Sequence, residues 1–458
     1  MNAATFAERI HRASLDLLWN PGIRLEHDGI RERLLREGAQ PGLETEALRF
    51  PAELVMDCVA RAPRSVGLAD RRGDGKRMTA TSSTVVWSTP GLNLWRHGAH
   101  RRFTSEDLAD AARLLDQLPN ADGVFGLALS DVPPGTGDVV GLRIMAENTA
   151  KHIRVLCFTP RGAETLCRMR EVVGPEPWFS VGFTAHGPLR WTRLALEIFE
   201  KTAGHGIPVS INGEPMAGVS GPVTLAGSAA VGNAEILAGL VVNQVLEPGR
   251  PCIHNLGLAH IFDMRSAIAV TGAPENHLFA ELGAALGRFY GLPSCGWVST
   301  ESMSCDEQAA AEKGAGFLAQ LRAGVSLVWG IGQLESELTF SPAQAVMDDE
   351  MVAYARRYAR GVEVSEKTLA LDVIREVGIA GDYLGHEHTL AEFRSEFFEP
   401  SLAWRRRRAE WDAAGAPRLG ARAEQIADEL IASQRAPYLT DDQRCALLEI
   451  EQAYLRST

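Results

Sequence analysis

No two of the seven cysteines (positions 58, 157, 167, 252, 295, 305 and 445) form a CxxC pair. Several sit in apolar, strand-like runs and read as small core hydrophobes, so no disulfide framework or dithiol redox motif is signalled. No apolar run reads as long enough to span a membrane. The opening residues, MNAATFAERIHRASLDLL, pattern as an amphipathic helix rather than a charged-then-apolar leader, so we expect a cytoplasmic protein with reduced thiols. Clustered Lys/Arg interleaved with aromatics is absent, and the net charge is −12, which argues against a nucleic-acid partner. The one basic run, Arg405–Arg408 after Trp404, reads as a solvated face. Phosphate loops are missing too. Gly135–Gly141 is spaced GxGxxxG, and Gly73–Lys76 lacks the Walker spacing. Without a GxSxG elbow, a serine hydrolase is not supported.

What the chain does have is a regular alternation of strands and helices. Gly206–Asn255 reads as one complete βαβ unit: a β-branched strand (Ile207–Ile211), a Gly-rich loop, a long buried helix, and a second strand (Cys252–Leu256). Further strands are expected at Val124–Leu129, Ile153–Phe158, Phe179–Phe183, Ser294–Val298 and Ser326–Trp329. Helical segments separate them. Seven such units in a row predict an α/β fold, a (β/α)8 TIM barrel with helical N- and C-terminal additions. We expect a mainly helical region at 1–115, the barrel at 116–385 and C-terminal helices at 386–458. Thr84–Ser88 reads as a lone strand in the N-terminal addition. The eighth barrel strand is open: Leu369–Val377 would serve, but it reads equally as a helix.

In a parallel barrel the active site lies at the C-terminal strand ends. That rule selects Ser130 and Asp131, Thr159, Thr184 and His186, Asn212 and Glu214, His254 and Asn255, Trp297, Thr300 and Glu301, then Trp329, Gln333 and Glu335. Trp297 and Trp329 at adjacent strand ends are either barrel packing or an aromatic wall for a cation. A quaternary ammonium has no N–H to donate and is held by π faces and diffuse negative charge, here Glu301 and Glu335. Cys252, His254, Cys295 and Cys305 are zinc-type ligands without the spacing of a closed site, so core thiols are the simpler reading and no bound metal is expected. His386-Glu387-His388 does not put both histidines on one helix face. It reads as a loop contact with the barrel mouth or as a cap.

Pro215-Met-Ala-Gly-Val-Ser-Gly-Pro-Val-Thr-Leu-Ala-Gly227, followed by Asn233-Ala-Glu-Ile-Leu-Ala-Gly239, closely resembles the trimethylamine methyltransferase family of corrinoid-dependent methyltransferases. Gly272-Ala-Pro-Glu275, Arg288–Pro293, Asp306–Ala309 with Glu312-Lys313, Leu334-Glu-Ser336, Asp348–Glu350, Leu369–Ile374 and Leu384–Leu390 match in order, so the likeness runs to about Trp411. The resemblance implies a barrel that passes a methyl group from an amine to Co(I) of a corrinoid (cobalamin) held by a separate protein. With no non-standard residue, the chain resembles the members for quaternary amines such as glycine betaine. On that basis Glu301 and His254 are expected to be catalytic. Trp297, Trp329, Asn212, Asn255, Gln333, Glu335 and His386 would bind substrate, and Gly213, Gly218 and Gly221 would let the corrinoid approach. His254, Asn212 and Gln333 are the candidate donors to a betaine carboxylate. The expected partners are a small quaternary amine, a corrinoid protein and further copies of the chain in a homo-oligomer. The chain departs from the family at Thr300-Glu-Ser-Met303, where relatives often have Thr-Asp-Ser-Lys, and at Trp329, where they often have His. Both changes are expected to favour a cation and disfavour an anion at those spots. A non-catalytic amine-binding protein and a zinc-dependent methyltransferase stay open as alternatives.

Overall fold

The computed structural model describes residues 3–88, 91–126, 128–433 and 437–457. Eight parallel strands close a barrel: β1 Val85–Ser88, β2 Gly123–Phe125, β3 His152–Arg154, β4 Phe179–Thr184, β5 Val209–Asn212, β6 Cys252–Gly257, β7 Ser294–Trp297 and β8 Leu327–Ile331. Each is followed by a helix: α1 Ser105–Gln117, α2 Gly137–Asn148, α3 Pro160–Val173, α4 Arg193–Lys201, α5 Leu225–Leu246, α6 Pro274–Tyr290, α7 Glu307–Ala323 and α8 Pro342–Arg360.

The closing strand is the one the sequence assigned to the N-terminal addition. β1 pairs with β8 (Trp329↔Trp87) and with β2 (Trp87↔Gly123). It escapes the βα rhythm because a hairpin, Asn93–Arg96 with Ala99–Arg102, is inserted between it and α1. Every later strand is therefore one number higher than the sequence count. Leu369–Val377 is not a strand. It falls in the exposed short helices Glu366–Leu369 and Leu371–Val377.

Strand alternation sorts the side chains. Trp87, Phe125, Ile253, Cys295, Trp297, Leu327 and Trp329 fill the barrel interior, while Val124, Ile153, Val181, Val209 and Val328 face the helices. Below the interior, a hairpin of Ser65–Leu68 and Lys76–Thr79 contributes Val66, Leu68 and Met78 as a plug. The N-terminal end is thus packed shut, and the C-terminal end is left for chemistry. Helix α5 corrects one expectation. At 22 residues it is long and apolar enough to cross a membrane, yet 78% of its most apolar 18-residue stretch is buried within the protein.

The loop after β8 is fixed from behind by a fully buried ion pair. Lys313 Nζ on α7 lies 2.5 Å from Asp348 Oδ2 on α8 and donates to the carbonyls of Gly330 and Gln333, both at 2.9 Å. Asp348 Oδ2 also accepts from Gly332 N at 2.8 Å. Gly332 has φ +86°, and an added Cβ would lie 2.2 Å from the Phe340 ring, so only glycine fits. Removing one partner strands the other charge. We expect Asp348→Asn to lower stability by about 3–5 kcal/mol in chemical denaturation, and the double variant Lys313→Met/Asp348→Leu to cost less.

Candidate active site

A cleft of about 990 Å³ opens at the C-terminal ends of β3, β4 and β5. Cys157, Gly182, Thr184, His186, Glu214, Met216 and His260 line it. From Thr184 in that lining a short chain of hydrogen bonds runs across the barrel strands. Asn255 Nδ2 donates to Asn212 Oδ1 at 2.9 Å, and Asn212 Nδ2 donates to Thr184 Oγ1 at 3.0 Å. The structure thus joins two of the expected substrate-binding residues. A second chain runs across β7 and β8. Trp297 Nε1 donates to Gln333 Oε1 at 2.7 Å, and Gln333 Nε2 donates to Ser299 Oγ at 3.1 Å.

Trp329 does not offer a free face. It is buried, its ring is T-shaped against Phe125 at 5.1 Å, and the Arg154 guanidinium lies 6.0 Å from its centroid. The same guanidinium lies 5.0 Å from the Phe125 ring. The cation over this tryptophan is the protein's own. Arg154 is fully enclosed in the barrel beneath Gly182, where an added Cβ would lie 1.9 Å from its Nη2. It donates to Val155 O and, at 3.5 Å, to Ser210 Oγ, while its Nε has no partner. Among the described residues no carboxylate pairs with it, and burial pulls its pKa down to about 9. The sequence reading passed over Arg154. The available signal was a charged residue at an inward-facing position of an otherwise apolar strand.

The mouth carries the opposite sign. Glu214 follows β5 and lines the cleft. Burial raises its pKa to about 7, and among the described residues its carboxylate has no hydrogen-bond or ion-pair partner. Behind it on α5, Glu235 is raised to about 7 by burial and by the Glu214 charge. Its Oε1 accepts from Leu189 N at 2.8 Å and its Oε2 is unpartnered. Glu337 is raised to about 8, chiefly by burial and then by Glu214. Glu337 ends a run of three non-glycine residues in the left-handed region: Glu335 (φ 54°), Ser336 (φ 48°) and Glu337 (φ 80°). Such backbone is costly and persists only where its surroundings hold it.

Glu301 is part of that hold. It accepts from Thr271 N at 2.6 Å, Gly272 N at 3.0 Å and Ser336 Oγ at 2.9 Å. Its carboxylate is used in clasping the loops after β6 and β8, so it positions residues rather than facing a ligand. Glu335 is tied to His100 at 3.2 Å and to Thr339. Met303 is exposed at the mouth.

The remaining expected residues lie elsewhere. His254 alternates outward, where its Nε2 bonds Asn233 Oδ1 of α5 at 2.8 Å beside Tyr290. Burial lowers its pKa to about 4. A residue on the outer wall cannot touch a ligand in the barrel. Cys252 also packs outside and Cys295 inside, so these zinc-type ligands do not converge. His386 caps the helix Glu387–Glu396 by accepting from His388 N at 3.1 Å. Added Cβ atoms on Gly213 and Gly221 would lie 2.4 Å from Gly232 O and Ser228 Oγ. Those two glycines allow α5 to pack close. Gly218, at φ +94°, sits in the exposed turn beside Met264.

Comparison with known proteins agrees with this architecture. A monomethylamine methyltransferase of Methanosarcina barkeri superposes with a TM-score of 0.54 at 15% identity, covering 93% of this chain and 86% of that one, which shows the shared fold. Trimethylamine methyltransferase MttB of Methanosarcina thermophila is 30% identical over 453 residues, covering 94% of this chain and 93% of the relative. The MttB of Desulfitobacterium hafniense (strain DSM 10664 / DCB-2) is 29% identical over 445 residues (92% and 87%). Glycine betaine methyltransferase of D. hafniense (strain Y51) is 28% identical over 417 residues (88% and 86%). The family model described as trimethylamine methyltransferase (MTTB) matches residues 3–453, so the chain is a methyltransferase and belongs to this family.

Proposed function

We propose that the protein takes a methyl group from a quaternary amine that also bears a carboxylate, and delivers it to a corrinoid carried by a partner protein. The observation that carries this reading is the pattern of unpaired charge in one barrel mouth. Glu214 and Glu337 have no cation, and Arg154 below them has no carboxylate. A zwitterion with its ammonium up and its carboxylate down would satisfy both ends. Asn212 and Asn255 supply amide groups along the way.

The chemistry suits these groups. The C–N bond breaks with its electron pair left on nitrogen, so a neutral tertiary amine departs and no proton donor is needed. A reduced corrinoid would supply the nucleophile that accepts the methyl group. Exposed Val219, Val223 and Met264 around Gly218 make an apolar rim that fits the flat edge of such a group. Positive charge on nitrogen falls during transfer, so the carboxylates stabilise bound substrate more than the transition state. Their part is to hold one methyl at the mouth and to let the product go once its nitrogen carries no charge.

Incubating the protein with cob(I)alamin and glycine betaine, choline or tetramethylammonium tests this reading through loss of cob(I)alamin absorbance. Consumption with a carboxylated amine and little with the others is expected; no consumption with any quaternary amine contradicts it. Arg154→Met leaves no stranded carboxylate, so the fold should survive. It should raise KM for glycine betaine ~10²-fold, about 2–3 kcal/mol, and leave choline unaffected.

The raised glutamates also predict a pH dependence. Unfolded glutamate ionises near 4.5, whereas these hold their protons to about 7 and 8. Between those values the folded state binds more protons, so ligand-free stability should fall as pH rises through 5–8. Thermal melts of Glu214→Gln/Glu337→Gln should show a flatter slope over that window. A quaternary ammonium ligand should offset the loss in the wild type.

A further inference from the structure

Thr184, Asn212 and Asn255 stand at one level on three adjacent strands. The parallel register places Thr184 of β4 opposite Asn212 of β5, and Asn212 opposite Asn255 of β6. The hydrogen bonds between them have a direction, and one backbone group sets it. Where β6 shifts register against β7, Gly257 N donates to Asn255 Oδ1 at 3.1 Å. A backbone N–H only donates, so the oxygen of Asn255 faces Gly257 and its NH2 group faces Asn212. Asn255 Nδ2 then gives to Asn212 Oδ1, which turns Asn212 Nδ2 towards Thr184 Oγ1. The chain therefore ends on a hydroxyl that receives an N–H and must send its own proton elsewhere. Among the described residues no group accepts from it. Of the three side chains, Thr184 is the one that lines the cleft, while Asn212 and Asn255 are buried behind it. Gly182, two residues back on the same face of β4, also lines the cleft and lies directly over the Arg154 guanidinium.

We propose that Thr184 is a specificity-determining donor of this site, its hydroxyl giving its proton to a carboxylate oxygen of the substrate. The inference rests on the zwitterion reading above and names a residue that enforces it. A carboxylate only accepts, and a hydrogen bond onto an ionised acceptor is stronger than one between neutral groups. A substrate alcohol accepts the same bond more weakly, and a methyl group not at all. Bonds passed along such a chain strengthen one another. Asn212 and Asn255 are positioning residues: they occupy a lone pair of the hydroxyl and so leave its proton for the ligand.

Calorimetric titration of the full chain with glycine betaine and with tetramethylammonium tests the proposal. Thr184→Val should raise the dissociation constant of glycine betaine ~10-fold or more and leave that of tetramethylammonium within ~2-fold. Thr184→Ser keeps the hydroxyl and should restore betaine binding, which a packing role for the lost methyl would not do. Thr184→Val weakening both ligands alike or neither, or Thr184→Ser binding betaine no better than Thr184→Val, overturns it. Loss of cob(I)alamin absorbance, followed in parallel, separates this claim from the reaction. Betaine binding that needs Thr184 without methyl transfer supports the donor and contradicts the reaction. Transfer indifferent to Thr184→Val contradicts the donor and supports the reaction. A wild type that binds no glycine betaine overturns both.

Discussion

The buried Lys313–Asp348 pair is the constraint on which the mouth of this barrel depends. Two charges taken out of water are costly unless every donor and acceptor is used. Here the ammonium serves two carbonyls of the β8 loop as well as the carboxylate, and the carboxylate takes the Gly332 N–H. Those bonds fix the backbone from Gly330 to Gln333. From there Gln333 reaches Trp297, and the chain enters the left-handed run that ends at Glu337. Glu301 fastens the same run from the β6 and β7 side. The strain is local, and the support for it comes from two directions.

What that support achieves is a site with charges left unspent. Elsewhere among the described residues, buried carboxylates such as Asp107, Asp116 and Glu451 are ion-paired, with Arg101, Arg72 and Arg143. In the mouth, Glu214 and Glu337 are not, and Arg154 below is held only by aromatic faces, one carbonyl and a hydroxyl. A folded protein tolerates such groups when a ligand completes them, and burial then makes each interaction stronger than it would be in water. On the proposed reading these groups complement a zwitterion, with recognition done by the protein and the methyl accepted by the cofactor.

Much of this was legible in the sequence, and the rest failed for identifiable reasons. The βα rhythm gave the barrel, and the glycine-rich run at 215–227 gave the family. The first strand was recognised as a strand but placed outside the barrel, because an inserted hairpin separates it from its helix. His254 and Asn255 are neighbours in sequence, but alternation sends one to the outer wall and the other into the barrel, against Asn212. That choice depends on strand register, which a strand-end rule does not supply. Trp329 was read either as barrel packing or as a wall for a ligand cation. It faces Arg154, which lies five strands earlier in chain order and comes within reach only once the barrel closes. Glu301 looked available because the residues it clasps lie 30 positions before it and 35 after. That residues 361–401 would lie uncovered was not legible, since their helices look ordinary until burial is known.

The central claim is that unpaired mouth carboxylates receive a ligand cation. Calorimetry of glycine betaine binding at pH 7 in buffers of different ionisation enthalpy tests it most directly. If an arriving quaternary ammonium favours ionised Glu214 and Glu337, binding releases protons, and the observed heat changes with the buffer. Glu214→Gln/Glu337→Gln should then bind weakly and release none. Tight binding with no proton release, or the same release from that variant, would contradict the account.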